Sequence, residues 1–239
     1  MSANPLPRRA RPRVGGLVPF STVDYPGRFS AAVFIRGCPW RCGYCHNPEL
    51  LDTGGRDFGW EPVQRLLARR SGLIDAVVFT GGEPTSDPAL GDAMDEVRAQ
   101  GFSVGLHTAG PYPRRLRSLL SRCDWVGFDV KAPFGSYDTV TGARRSSVRV
   151  QESLDALAAS GVAYETRTTW HPALLDESAL LRIADDLAER GVRRYALQAF
   201  RALGCEDESL CTAPRAGPSE ALLGALASRF PQFTYRPAQ

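Results

Sequence analysis

Lysine is almost missing from this chain of 239 residues: Lys131 is the only one, and arginine supplies every other strongly basic side chain. Histidine is equally sparse, with only His46, His107 and His171. Long apolar runs are lacking too, and nothing approaches the roughly 20 residues that a membrane-spanning helix needs. The opening stretch "MSANPLPRRARPR" has no apolar segment of the kind a secretory signal carries. It is rich in Pro and Arg, and residues 1–15 are expected to form a disordered basic tail ahead of one domain over 16–239. No internal repeat, low-complexity segment or linker interrupts that span. A net charge of +3 is too mild to point to nucleic acid. These absences predict a cytoplasmic protein that contacts neither membrane nor nucleic acid. In that compartment thiols stay reduced, so the six cysteines are not expected to form a disulfide scaffold.

What is present is a regular alternation of short strand-like and longer helical stretches. Candidate strands are residues 30–37, 74–81, 102–108, 124–130, 163–169 and 194–200, rich in Val, Ile, Phe and Tyr. Between them the apolar spacing predicts helices near 61–70, 88–100, 113–121, 147–160, 177–190 and 218–229. Gly101, Gly161 and Gly191 supply helix stops. A terminal "QFTYRP" offers one more edge strand. Alternation of this kind implies right-handed βαβ units on a parallel sheet. Six units fall short of the eight of a closed barrel, so the expected fold is an α/β partial (β/α)6 barrel, with a doubly wound open sheet as the alternative. Either way the active site belongs at the carboxyl ends of the strands.

Those ends carry unusual chemistry. Past the first strand lies "CPWRCGYCH", with Cys38, Cys42 and Cys45 spaced C-x3-C-x2-C. Four readings compete. "CGYCH" matches a haem-attachment pattern, although haem of that kind is attached after export. A redox dithiol leaves Cys38 without a role. A structural zinc wants four ligands, and His46 follows Cys45 too closely for easy tetrahedral closure. An iron–sulfur cluster prefers thiolates and normally has four. Three on one loop would leave one iron free for a substrate.

The spacing, with Tyr44 ahead of the last cysteine, resembles the radical S-adenosylmethionine superfamily. "GGEP" at 81–84, past the second strand, agrees with it. The resemblance spans about Gly16 to Phe200 and implies a [4Fe-4S] cluster on Cys38, Cys42 and Cys45. S-adenosylmethionine would then chelate the open iron and be cleaved reductively to a 5′-deoxyadenosyl radical that takes hydrogen from a substrate. More narrowly, "STVDYPG" (21–27), "CHNPEL" (45–50) and "DVKAP" (129–133) are similar to glycyl-radical-enzyme activating enzymes, especially those of anaerobic ribonucleotide reductase. That likeness implies a glycyl radical enzyme and a flavodoxin- or ferredoxin-type electron donor as partners. By position, Tyr44 resembles the adenine segment, while Gly81, Gly82, Glu83 and Pro84 resemble the amino-group site. Asp129 and Lys131 match the groups that contact the methionyl part and assist cleavage. An ammonium kept in a chain of arginines sharpens the case for Lys131.

Further residues are assigned more loosely. Arg167 is expected to pair with the cofactor's carboxylate, or else with Glu165 or Asp129. Arg201 is expected near the adenine or ribose. His107 and Thr108 belong to "HTAG", where the activating enzymes often carry aspartate–threonine–asparagine–glycine, so a cation site there is in doubt. His46 and His171 read as loop residues. Cys123, Cys205 and Cys211 have no partner pair for a second cluster and read as ordinary thiols. A second enzymatic reading is a small-molecule radical enzyme of the 7-carboxy-7-deazaguanine synthase kind. A third, of another class, is a haem- or zinc-binding electron-transfer module.

Overall fold

The computed structural model describes residues 10–214 and 216–238. One sheet of eight strands runs in chain order from β1 to β8 without closing on itself. It comprises β1 (Val14–Ser21), β2 (Ser30–Ile35), β3 (Ala76–Gly81), β4 (Ser103–Thr108), β5 (Trp125–Asp129), β6 (Ala163–Trp170), β7 (Arg194–Ala199) and β8 (Gln232–Arg236). Strands β2 to β8 are parallel, and β1 is antiparallel to β2. The six expected strands are β2 to β7, each followed by helical structure, and the sheet is an open, partial barrel. β8 is the edge strand anticipated from "QFTYRP".

β1 is an addition to the sequence reading. Gly15, Gly16 and Pro19 disguise it, yet an edge strand tolerates all three because half its ladder faces no partner. Its register shifts twice against β2. Val14 and Gly15 lie in this strand, so the sheet begins two residues ahead of the expected domain boundary. Residues 1–9 of the expected tail lie outside the described residues.

Helices α1 (Glu61–Arg70), α2 (Leu90–Ala99), α3 (Pro113–Leu119), α5 (Ser146–Ala158), α6 (Glu177–Glu189) and α8 (Glu220–Arg229) fall where the apolar spacing predicts. Two single-turn helices, α4 (Tyr137–Thr141) and α7 (Glu208–Thr212), escape a periodicity argument because five residues hold little more than one turn. α6 shows how the longer ones form. Asp176 accepts the Ala179 N–H at 2.6 Å and caps the first turn. Leu180, Ile183, Ala184 and Leu187 then recur on one face, and all are fully buried against the sheet. Burying each such Leu or Ile contributes roughly 1.5–3 kcal/mol.

Strands β2 to β7 are largely buried on both faces, which is why they read as continuous apolar runs. Val77, Phe79, Val104, Leu106, Val126 and Phe128 point outward into the main core beneath the helices. A separate small core of Tyr25, Ala76, Val78 and Trp125 fills the inside of the barrel. Tyr25 belongs to the "STVDYPG" connection between β1 and β2 and stacks on Trp125 at 5.1 Å between ring centroids. That connection precedes β2, so it enters the barrel from the end opposite the strands' carboxyl termini. In-register parallel pairing brings those termini level: Ile35 faces Gly81, and Asp129 faces Arg167.

Candidate active site

The cysteine loop leaves β2 at Ile35 and is held by its own backbone. Gly37 N donates to Leu50 O at 2.8 Å and Cys38 N to Leu51 O at 2.9 Å, which folds the loop back on the turn at 48–50. Cys45 N donates to Cys42 O at 3.1 Å, and Arg41 N reaches across to Thr141 O at 3.0 Å. The end of β3 presses on this loop so closely that only glycine fits. A Cβ on Gly82 would stand 2.7 Å from Gly37 O, and one on Gly81, where φ is +116°, would stand 2.6 Å from Ile35 N. Asn47 ties the same two segments, donating from Nδ2 to Gly81 O at 3.3 Å.

Glu83 then fastens β3 to β4. Its buried carboxylate accepts from Thr85 N at 3.1 Å, Thr108 Oγ1 at 2.7 Å and Ala109 N at 3.0 Å. Burial raises its pKa, and those donors oppose the rise by favouring the charged form. On the opposite wall, Lys131 Nζ stands 3.9 Å from Asp129 Oδ2 and 5.5 Å from the centre of the Tyr44 ring. Burial disfavours the ammonium, yet the facing Tyr44, Cys42 and Asp129 outweigh it and hold Lys131 well above the ordinary lysine range. Tyr137, fully buried, accepts the Lys131 N–H at 2.9 Å and so fixes the "DVK" backbone.

These groups meet in one cavity of about 160 Å³. Its wall includes Cys38, Cys42, Cys45, Tyr44, Gly81, Gly82, Glu83, His107, Thr108, Asp129 and Lys131. Eleven of the residues singled out in the sequence are thus brought together. Trp40, Asn47, Thr80 and Thr169 also line it and had been given no role; "CHNPEL" had displayed Asn47 without revealing its bond to Gly81.

Three expected residues are placed elsewhere. Pro84 is buried as the first residue of the turn after Glu83 and does not line the cavity. Arg167 is a clear correction. Its Nε donates to Glu165 at 3.1 Å and its guanidinium lies 4.8 Å over the Trp125 ring, inside the barrel. Glu165 lies on the same strand face two residues earlier and captures the guanidinium in a site of low dielectric. Gly127 gives it room, since a Cβ there would stand 2.2 Å from Arg167 Nη2. Arg201 is the other correction: its exposed side chain lines a neighbouring groove, and only its carbonyl touches the site, accepting from His46 Nε2 at 2.9 Å.

That bond also occupies His46, whose ring stacks on Phe200 at 5.3 Å, so it is not poised as a fourth metal ligand. His107 is on the cavity floor. Its Nε2 donates to Asp24 O at 2.8 Å and lies 3.1 Å from Arg167 Nη2. Burial first, then Arg167, depress its pKa well below the usual histidine value, so the ring is neutral.

The three thiols are free and partly buried. Burial pushes Cys38 up to about 12 and raises Cys42, as expected for thiols whose anions need a metal for compensation. Among the described residues no three His, Cys, Asp or Glu side chains converge as ligands of a single metal ion do. The thiols instead surround a shared cavity, which suits a group containing several metal atoms. The buried indole N–H of Trp40, in the same wall, has no protein partner. The donor set fits an iron–sulfur cluster, with room in the cavity for an organic ligand.

Comparison with known proteins decides the family. The model of the Radical SAM superfamily matches residues 32–187. The chain belongs to the Radical SAM superfamily. Its cofactors are therefore a [4Fe-4S] cluster and S-adenosylmethionine, and it is a radical enzyme. A putative glycyl-radical enzyme activating enzyme of Methanocaldococcus jannaschii is 30% identical over 228 residues, 91% of this chain and 92% of the relative. The pyruvate formate-lyase-activating enzyme of Clostridium pasteurianum is 28% identical over 201 residues, covering 80% of this chain and 83% of its own. In fold the chain is similar to Streptococcus suis SuiB bound to its precursor peptide, with a TM-score of 0.64 and 12% identity. That likeness covers 83% of this chain and 46% of SuiB, so the chain spans about half of that neighbour's length.

Proposed function

We propose that this superfamily member is an activating enzyme that removes a hydrogen atom from a glycine of a partner protein, leaving a glycyl radical, in the cytoplasm. The partner we infer is an anaerobic ribonucleoside-triphosphate reductase, with a flavodoxin- or ferredoxin-type carrier as electron donor. The similarity to activating enzymes over nine-tenths of the chain carries this reading. When bound, the cluster and S-adenosylmethionine supply methionine and a 5′-deoxyadenosyl radical from one electron.

The residues have divided tasks. Cys38, Cys42 and Cys45 would hold the cluster. Lys131 and Asp129 contact the methionyl part: the ammonium attracts the cofactor's carboxylate and Asp129 its positively charged groups. The Gly81–Gly82 backbone and Glu83 offer acceptors to the cofactor's amino group, with Glu83 held in place by Thr85, Thr108 and Ala109. The Tyr44 segment would bind the adenine. Trp40, Tyr137 and Phe200 exclude water from the wall, because all three are buried. The sheet is open between β1 and β8, which leaves a side through which a glycine-bearing loop can approach.

The test is electron paramagnetic resonance of anaerobically reconstituted, reduced protein mixed with S-adenosylmethionine and the reductase. A glycyl-type doublet, absent in Cys42→Ala, is expected. If 5′-deoxyadenosine accumulates without any doublet on the reductase, the radical chemistry stands and the proposed partner is wrong. A small-molecule substrate of the 7-carboxy-7-deazaguanine synthase kind would then be the better reading.

A further inference from the structure

A second cavity lies outside the cluster site, between the start of α3 and the start of α5. Its wall includes Tyr112, Arg114, Arg115, Arg145 and Arg149, with Glu152 as the only acidic member. All four guanidiniums are exposed, and among the described residues none forms an ion pair with a carboxylate. Elsewhere Arg11, Arg13, Arg41, Arg98, Arg122, Arg167, Arg190, Arg229 and Arg236 each meet an Asp or Glu. Four guanidiniums without an ion pair thus line one concave place that holds a single acid.

The backbone and contacts of this cleft lead to the cluster loop. Arg145 is the one described residue other than glycine with positive φ, at +59°, and Asp138 fixes it there by accepting its N–H at 2.7 Å. A strained, locked residue of this kind is most often found where a side chain must be presented. On the other wall Arg115 lies 5.2 Å over the Tyr112 ring and donates to the Thr85 and Ser86 carbonyls. Ser86 Oγ donates in turn to Gly37 O at 3.1 Å, the residue next to Cys38. The arginine cleft is therefore the outer face of the same rim that holds the cysteines.

We propose that this cleft is the docking surface for an acidic one-electron carrier protein that reduces the cluster. The inference rests on the radical reading above, because only that chemistry requires an electron from outside. In the step, the carrier loses one electron and the cluster gains it; no covalent bond changes and no proton moves. Unpaired guanidiniums on a rim suit this role. They steer an acidic partner and fix its orientation without forming a tight complex, so the oxidised carrier leaves again.

The experiment uses the reconstituted holoenzyme, an acidic flavodoxin as probe, and the variants Arg114→Glu, Arg149→Glu and the pair. Affinity for oxidised flavodoxin is read by interferometry, and cluster reduction is followed through the flavin absorbance of the reduced form. Each reversal is expected to weaken binding and slow reduction by about tenfold at low salt, more in the pair, with the difference fading as salt screens the charges. Reduction by photoexcited deazaflavin, which needs no docking, should be unchanged. Wild-type binding and flavodoxin-driven reduction in the pair would overturn the proposal. So would variants that keep flavodoxin but lose the glycyl radical enzyme, since the cleft would then belong to the substrate protein. Flavodoxin affinity is read without turnover, so failure of the radical reading shows separately, as no cleavage of S-adenosylmethionine under deazaflavin.

Discussion

Two charged clusters share the inside of this barrel, and they are built in opposite ways. Below the cavity, Glu165 accepts both arms of Arg236 at 2.9 Å and Arg167 Nε at 3.1 Å, a saturated set capped by Trp125. At the rim, Lys131 and Asp129 stand 3.9 Å apart, with the Tyr44 ring 5.5 Å from the ammonium, a loose set beside open space. Buried charges that have found all their partners are structure. Charges left loosely matched beside a cavity are waiting for a ligand. Arg167 looked functional in the sequence and belongs to the first kind; Lys131 belongs to the second.

The contrast can be broken from either side. The largest effect is expected from Cys42→Ala, which should abolish the brown cluster absorbance and 5′-deoxyadenosine formation; the circular dichroism of the fold should be retained. Lys131→Ala should lower S-adenosylmethionine cleavage by about a hundredfold, and Lys131→Arg should not restore it, because a guanidinium fork cannot replace a compact ammonium. Stability should barely change in either, as read by thermal melts. In the lower cluster the pattern inverts. Glu165→Ala leaves Arg167 buried and without its carboxylate, so denaturant titration should show a loss of about 3–5 kcal/mol. The cleavage rate per folded molecule should stay near wild type.

The smallest effect sharpens the boundary between the two. His107 has a depressed pKa in the fold, from burial and from Arg167, while in the unfolded chain it titrates near the usual value. Below about pH 6.5 the unfolded state therefore binds a proton that the folded state refuses, and stability falls as pH drops. The slope cannot exceed about 1.4 kcal/mol per pH unit for one group. His107→Gln should flatten that part of a stability-against-pH curve measured by denaturant titration.

Much of this was legible in the sequence, for identifiable reasons. Parallel strands buried on both faces announce themselves as apolar runs, and the order of the chain alone put Cys38, Gly81, Thr108 and Asp129 on one rim. What escaped was whatever depends on a third dimension. β1 hides behind two glycines and a proline that only an edge can accommodate. Glu165 was weighed merely as an alternative partner for Arg167, because the second claim on it comes from Arg236, at the far end of the chain. Tyr137 and Asn47 act through hydrogen bonds to backbone and leave no periodic trace. Arg201 meets the site only through its main chain, by way of His46, while its side chain lines a neighbouring groove.

The most direct test of the account is a single anaerobic incubation. Reconstituted wild-type protein, reduced by deazaflavin and given S-adenosylmethionine alone, is analysed for 5′-deoxyadenosine and methionine by chromatography. The account predicts both products in equal amounts, with neither formed by Cys42→Ala. Cluster-loaded wild-type protein that yields neither would contradict it.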